Sequence, residues 1–511
     1  MIKNNLANLT NKPKIHGIST DIIWVLVILS GFLFFTSLIP LPPNDFWWHL
    51  KIGEYIYINH TIPTTNMFAW TIPAGQPFFY AAWFAELLFY VLYRTGGLAL
   101  IITMRTVLIG ISIWLVASES KRRSNSWRIA ALVTAFLCLM IINNLIVRTQ
   151  MWAWLPFITT YIVLKRYTEG ILNWRWLFLC PVTMIFWVNV HGSFILGLLL
   201  PGAFFLGEVI SKLLNQPNSL NWHKIGWIGC TGVLSGIAVL LNPRFVGIID
   251  YTLKLITDPP SQQLIEEWQS PTPQGLANII FFISIIIFII ILAYSKYRLT
   301  PTEIILFIVF LWLAWSGQRY VIWYGMISAP ILARLIKDLP LKMPSLIPQK
   351  NWLNLVLIIL IIIPVIAVQP WFVERLPLPE AYWKLILRDL PSEPLISVET
   401  PVAAVKYLKS HPGGHLFNEM GYGSYLIWAI PEQKVFIDSR VELFPYDRWM
   451  DYIHVNNGTN YNGVLTKYGV DRILLDKKLQ PELTASLAND PLWTLEYDDH
   501  YSQIWSKVSI P

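Results

Sequence analysis

The chain has 511 residues, of which 55% are apolar and only 14% charged, and its mean hydropathy is +0.49. That balance, with several runs of about 18 or more nearly uncharged residues, excludes a water-soluble protein and predicts a polytopic α-helical membrane protein. The net charge of +7 calls for no nucleic-acid partner, because excess Lys and Arg in a membrane protein marks cytoplasmic loops.

In chain order, the segment 1–21 carries Lys3, Lys12 and Lys14 and is placed in the cytoplasm. Its polar length and the lack of a small-residue cleavage site predict no cleaved signal peptide. The first span is read at 22–41, and an outer loop at 42–96 follows it. That loop opens with Asp45-Phe46-Trp47-Trp48-His49-Leu50-Lys51. Phe46, Leu50 and Tyr57 recur at helical spacing, and Trp47, Trp48 and Tyr55 favour the membrane–water boundary, so a short helix in the membrane plane is expected. Asp45, held at that boundary with His49 one turn on, is the leading candidate for chemistry. The Pro and Gly breaks at 62–66 and 73–77 predict an ordered irregular loop.

Residues 81–93, apolar but containing Glu86, read either as a span or as a second interfacial helix. If they span, Lys121-Arg122-Arg123 and every later basic loop fall outside. If they do not, those loops all fall inside, as does Lys337 with Lys342, and we adopt that reading. The spans are then 22–41, 97–118, 129–147, 151–165, 176–191, 193–212, 225–242, 277–294, 303–317, 320–336 and 352–369, about eleven in all. The bundle covers 22–369, and an odd count puts the rest of the chain outside. The outer face then collects the Asp45 loop, Arg148-Thr149-Gln150, His191-Gly192, the loop 243–275 and Gln318-Arg319-Tyr320. Polar residues gathered on one face at membrane depth mark a reaction site. Cys138, Cys180 and Cys230 all lie in apolar runs and are read as packing residues without metal-ligand spacing. From 370 to 511 charges and turns replace the apolar runs, and a soluble α/β domain is expected. Its helix is read at 402–408 and its strands at 434–438, 471–475 and 503–505.

Asp45-Phe46-Trp47-Trp48-His49-Leu50-Lys51 resembles the first outer-loop motif of the GT-C superfamily of membrane glycosyltransferases, in oligosaccharyltransferase catalytic subunits an Asp followed by aromatics, a His or Asn, and a basic residue. The plan of one span, an outer loop with two interfacial helices, a bundle and an outer C-terminal domain is similar too. The chain also resembles a bacterial GT-C-like group with an Asp-x-Trp-Trp-His-Leu opening and a tail carrying Asn418 to Leu426 and Phe436-Ile437-Asp438-Ser439-Arg440. One departure stands out. Many GT-C enzymes carry a second acidic motif in the next outer loop, whereas Arg148-Thr149-Gln150 has no acid, so a divalent metal finds no clear two-acid site.

The resemblance implies roles. Asp45 would be the general base for an acceptor hydroxyl, against the plainer reading of a helix N-cap. His49 shares its face and would orient it or bind phosphate, or else pack among Trp47 and Trp48. Glu86 is either the missing second acid or a structural hydrogen-bonding group. Arg148 and Arg319, with Tyr320 beside it, would clamp a phosphate, or snorkel to lipid headgroups. His191 is a ligand contact or a satisfied turn residue. Glu266 and Glu267 bind an acceptor or form a solvated acidic face. In the tail, Asp438 and Arg440 lie on one side of a strand and are read as a pair, in a domain that serves acceptor recognition or supports the bundle. The expected activity is transfer of a sugar from a polyprenyl-phosphate carrier to an acceptor at the outer face of the cell (inner or plasma) membrane. The alternatives are a non-catalytic GT-C-like scaffold or a lipid or polysaccharide transporter; no evident internal repeat supports the last.

Overall fold

The computed structural model describes residues 20–339, 351–373 and 395–508. Lys3, Lys12, Lys14 and Lys342 lie outside the described residues. The membrane part is built from α1 (Ile22–Leu38), α2 (Phe46–Asn59), α3 (Trp83–Ser124), α4 (Trp127–Met140), α5 (Trp154–Thr168), α6 (Leu179–Val190), α7 (Ile195–Leu213), α8 (Trp222–Val239), α9 (Gly247–Ile256), α10 (Pro259–Leu264), α11 (Leu276–Tyr294), α12 (Pro301–Ser316), α13 (Val321–Lys337) and α14 (Asn351–Ala367). Among the described residues, three helical runs are long and apolar enough to cross a membrane: Trp83–Ser124, Gly192–Leu213 and Leu276–Tyr294. Other apolar helices, such as Ile22–Leu38 and Asn351–Ala367, are shorter. The α13 helix is buried along almost its whole length and forms the centre of the bundle.

The 81–93 segment is the first part of α3, which is kinked at Gly96 and Gly97, where Gly97 has φ +63°. Only glycine adopts that conformation at little cost, so the sequence fixes the bend. Before the bend, α3 packs on α2 and reaches the C-terminal domain, with the Tyr93 and Trp428 rings 5.0 Å apart. After the bend it enters the bundle. The expected span at 129–147 is shorter than read: α4 stops at Met140 and 3-10 turns follow, where the polar pair Asn143-Asn144 interrupts the apolar pattern. Cys138 and Cys180 are buried, whereas Cys230 is exposed.

At the end of α3 remote from Asp45, charges are buried in pairs. Glu303 caps α12 through a reciprocal box with Thr300 and accepts hydrogen bonds from Arg123, from Lys165 Nζ at 3.1 Å and from Tyr297 Oη at 3.0 Å. Glu119 takes Arg122 and Arg166. Burial of these charges is tolerable because each has a partner, and the pairs join α3, α5 and α12.

The C-terminal part contains a four-stranded sheet in the order β1-β2-β4-β3, with β1 at Leu416–Asn418, β2 at Arg472–Asp476, β3 at Trp493–Asp498 and β4 at Ser502–Lys507. β1 runs parallel to β2, and the other pairs are antiparallel. The helix expected at 402–408 is present as Val402–Ser410. The strand expected at 434–438 is not. That segment makes a single bridge, Val435 to Ala69 of the outer loop, while the Asn418 side chain takes Phe436 N and Ile437 O at 2.8 Å each. A side chain thus satisfies backbone groups that a ladder would otherwise claim.

The α2–α3 contact is close enough to test. A Cβ at Gly53 would lie 2.0 Å from the backbone oxygen of Glu86, and one at Gly31 would meet nothing. Gly53→Val is expected to cost about 1–3 kcal/mol, read as a lower thermal midpoint in detergent, while Gly31→Ala is neutral. Equal midpoints for the two variants would contradict this packing.

Candidate functional site

The α2 helix begins one residue after Asp45, and the aromatic residues that the sequence places at an interface are instead packed inward. Phe46, Trp47 and Trp48 are buried, and the Trp47 indole donates to Pro42 O at 2.8 Å. Asp45 does not cap α2: no helix N–H is donated to its carboxylate, and Asn44 Oδ1 takes Phe46 N at 3.2 Å instead. The carboxylate is therefore not used up by its own helix. One turn later His49 Nδ1 lies 2.9 Å from Glu86 Oε1, and Trp48 stacks against the His49 ring at 3.6 Å. Glu86 is fully buried, and its other oxygen has no protein partner.

These residues open onto a cavity of about 540 Å³. Asp45, His49, Glu86, Arg148, His191, Glu267, Arg319 and Tyr320 all line it. Glu266 does not: the 3-10 turn Glu266–Trp268 leaves its side chain exposed, and only its carbonyl is used, by Gln318 Nε2 at 3.2 Å. His191 Nδ1 accepts from Ser193 N at 3.0 Å, so it caps the turn between α6 and α7 as well as lining the cavity. Arg148 is ion-paired to Glu267, whose other oxygen lies 3.7 Å from Arg319 Nη1. The Arg319 guanidinium sits 4.3 Å over the Trp268 ring. The Asp45 charge acts on both arginines.

Tyr80, Tyr251 and Glu442 were not singled out in the sequence, Ser439 only as part of a motif and Arg440 only as a partner of Asp438. Ser439 receives the Trp48 indole N–H at 3.1 Å, Tyr251 on α9 donates to Glu442 Oε1 at 2.7 Å, and Arg440 donates to Tyr80 Oη at 3.2 Å. All of these side chains except Tyr80 line the cavity. Burial pushes the Glu442 carboxyl above the usual range and the Tyr251 phenol well above its own. Glu442 stands two residues beyond the Phe-Ile-Asp-Ser-Arg motif, which is the one sequence signal that pointed near it. Tyr251 carries no local signal. Among the described residues no three His, Cys, Asp or Glu side chains are grouped to hold a metal ion.

No family model and no curated protein matches the sequence. Solved structures do match the fold. The archaeal oligosaccharyltransferase AglB from Archaeoglobus fulgidus, in complex with an inhibitory peptide and a dolichol-phosphate, aligns at 12% identity over 96% of this chain and 74% of its own, with a TM-score of 0.50. ArnT from Cupriavidus metallidurans in the apo state aligns at 13% identity over 94% of this chain and 97% of its own, with a TM-score of 0.51. The chain therefore shares the fold of these two solved structures.

The tail's buried ion pair gives a direct test. Asp438 accepts from Arg440 Nε at 2.8 Å and Nη2 at 2.7 Å, and both side chains are fully buried. Asp438→Asn strands a buried guanidinium and is expected to cost about 3 kcal/mol or more, seen as a lower unfolding midpoint. No change would mean that water or lipid headgroups reach Arg440.

Proposed function

We propose that this chain is a GT-C-type glycosyltransferase that moves a sugar from a polyprenyl-phosphate carrier to an acceptor at the outer face of the cell membrane. The orientation that goes with this reading has about eleven spans, a cytoplasmic N-terminus and the 395–508 domain outside; it rests on the basic loops. The observation that carries the reading is Asp45: a carboxylate that caps no helix, in a cavity with two arginines.

In this mechanism Asp45 takes the proton of the acceptor nucleophile as that atom bonds to sugar C1. The C1–O bond to the carrier breaks from the opposite face, inverting the centre, and the electron pair leaves on the carrier phosphate. Arg148 and Arg319 bind that phosphate through charge-assisted hydrogen bonds. His49, locked by Glu86 and Trp48, is a positioning residue for the start of α2. Tyr251, Glu442 and Ser439 border the acceptor side. The likeness to AglB, solved with a dolichol-phosphate, supports a lipid-phosphate donor in general terms.

Two variants test the reading in lipid nanodiscs with a panel of radiolabelled polyprenyl-phosphate sugars. Asp45→Asn should slow label transfer by about 100-fold or more with abundance and undecaprenyl-phosphate binding retained. Arg148→Ala with Arg319→Ala should instead weaken that binding. If Asp45→Asn transfers label like the native chain, the base assignment fails and a scaffold role gains ground.

A further inference from the structure

Resting on the transferase reading, we infer that Glu267 is a built-in competitor for the carrier phosphate: it occupies the Arg148–Arg319 site between turnovers and helps expel the spent carrier. One carboxylate spans two guanidinium groups here, Oε2 on Arg148 and Oε1 3.7 Å from Arg319 Nη1. A phosphate presents the same fork of oxygens to arginine. The carboxylate leaves the site partly unsatisfied, since Arg148 Nε is buried without a protein partner. A phosphate, as diester or monoester, offers more oxygens than a carboxylate for such a donor.

Charge sets the direction. Asp45 and Glu267 balance Arg148 and Arg319, so the four side chains are neutral together. A sugar phosphodiester brings one negative charge. The polyprenyl phosphate left after transfer is a monoester that carries close to two at neutral pH. Once Asp45 has released the proton it took from the acceptor, both carboxylates and a dianion cannot share two arginines without repulsion, and that repulsion is greater for product than for donor. Glu267 is therefore placed to discriminate against the spent carrier, the species whose release often limits turnover.

The Glu267 side chain can move without unseating its turn. Gln318 N donates to Gln269 O at 3.0 Å, Gln318 Nε2 donates to Glu266 O at 3.2 Å, and Trp268 lies against Arg319. None of these contacts uses the Glu267 carboxylate. The carboxylate, about 29% exposed, has open cavity beside it.

The experiment measures undecaprenyl-phosphate binding to the full chain in nanodiscs by quantitative native mass spectrometry, for the native protein, Glu267→Gln, Glu267→Asp and Arg148→Ala/Arg319→Ala. Glu267→Gln should bind roughly tenfold tighter and dissociate more slowly, with Glu267→Asp between it and native. Glu267→Gln equal to or weaker than native, while the arginine variant loses binding, would overturn the competitor and leave the transferase reading standing. If native and arginine variants bind alike, or none binds, the phosphate site itself is absent and both fail. Unfolding midpoints measured in parallel separate a binding change from a folding defect.

Discussion

A carboxylate in a protein interior must find a partner or lose its charge, and Glu86 finds His49. That contact joins α2 and α3 across 2.9 Å, next to a close approach of their backbones that requires glycine at position 53. It fixes the rotation of α2 about its axis. Asp45 lies one turn before His49, so the direction of its carboxylate follows from the same contact. Trp48, stacked on the imidazole and hydrogen-bonded to Ser439, extends the constraint to the C-terminal domain. The polar end of the cavity is thus set by one buried pair and the residues packed on it.

The C-terminal domain is part of the site's wall. The Phe436–Arg440 segment gives up regular strand pairing to lie along the outer loop, with Val435 bridged to Ala69 and Phe436 O accepting from Thr71 Oγ1 at 2.6 Å. The reward is a route by which Ser439, Arg440 and Glu442 reach the cavity from more than three hundred residues away in sequence. A buried Arg440, with each guanidinium nitrogen hydrogen-bonded, holds that segment to Tyr80 of the loop. Domain and loop thus form a single packed unit over the bundle.

Much of this was legible from local signals. Apolar runs located most helices, Asp45 and its aromatic neighbours announced the first outer element, and arginines at turns between apolar runs pointed to Arg148 and Arg319. What stayed hidden depended on contacts between distant segments. Glu266 and Glu267 are indistinguishable by composition, and only the 3-10 turn decides which faces inward. Tyr251 sits in an amphipathic stretch that reads as any surface helix. The 434–438 run has strong strand propensity, and only the Asn418 side chain shows why it pairs with so little. The burial of Trp47 and Trp48 likewise depends on the domain that covers them.

The bend at Gly96–Gly97 has a mechanical side. In the proposed orientation it separates the stretch of α3 that holds His49 through Glu86 from a stretch that must match its lipid surroundings. Helices adjust to thicker or thinner bilayers chiefly by tilting. A joint above the tilting part lets the lower arm lean while the upper arm keeps its grip on α2. The chemistry is thereby insulated from acyl-chain length, and rates compared in short-chain and long-chain bilayers would reveal that insulation, or its absence if the joint transmits tilt.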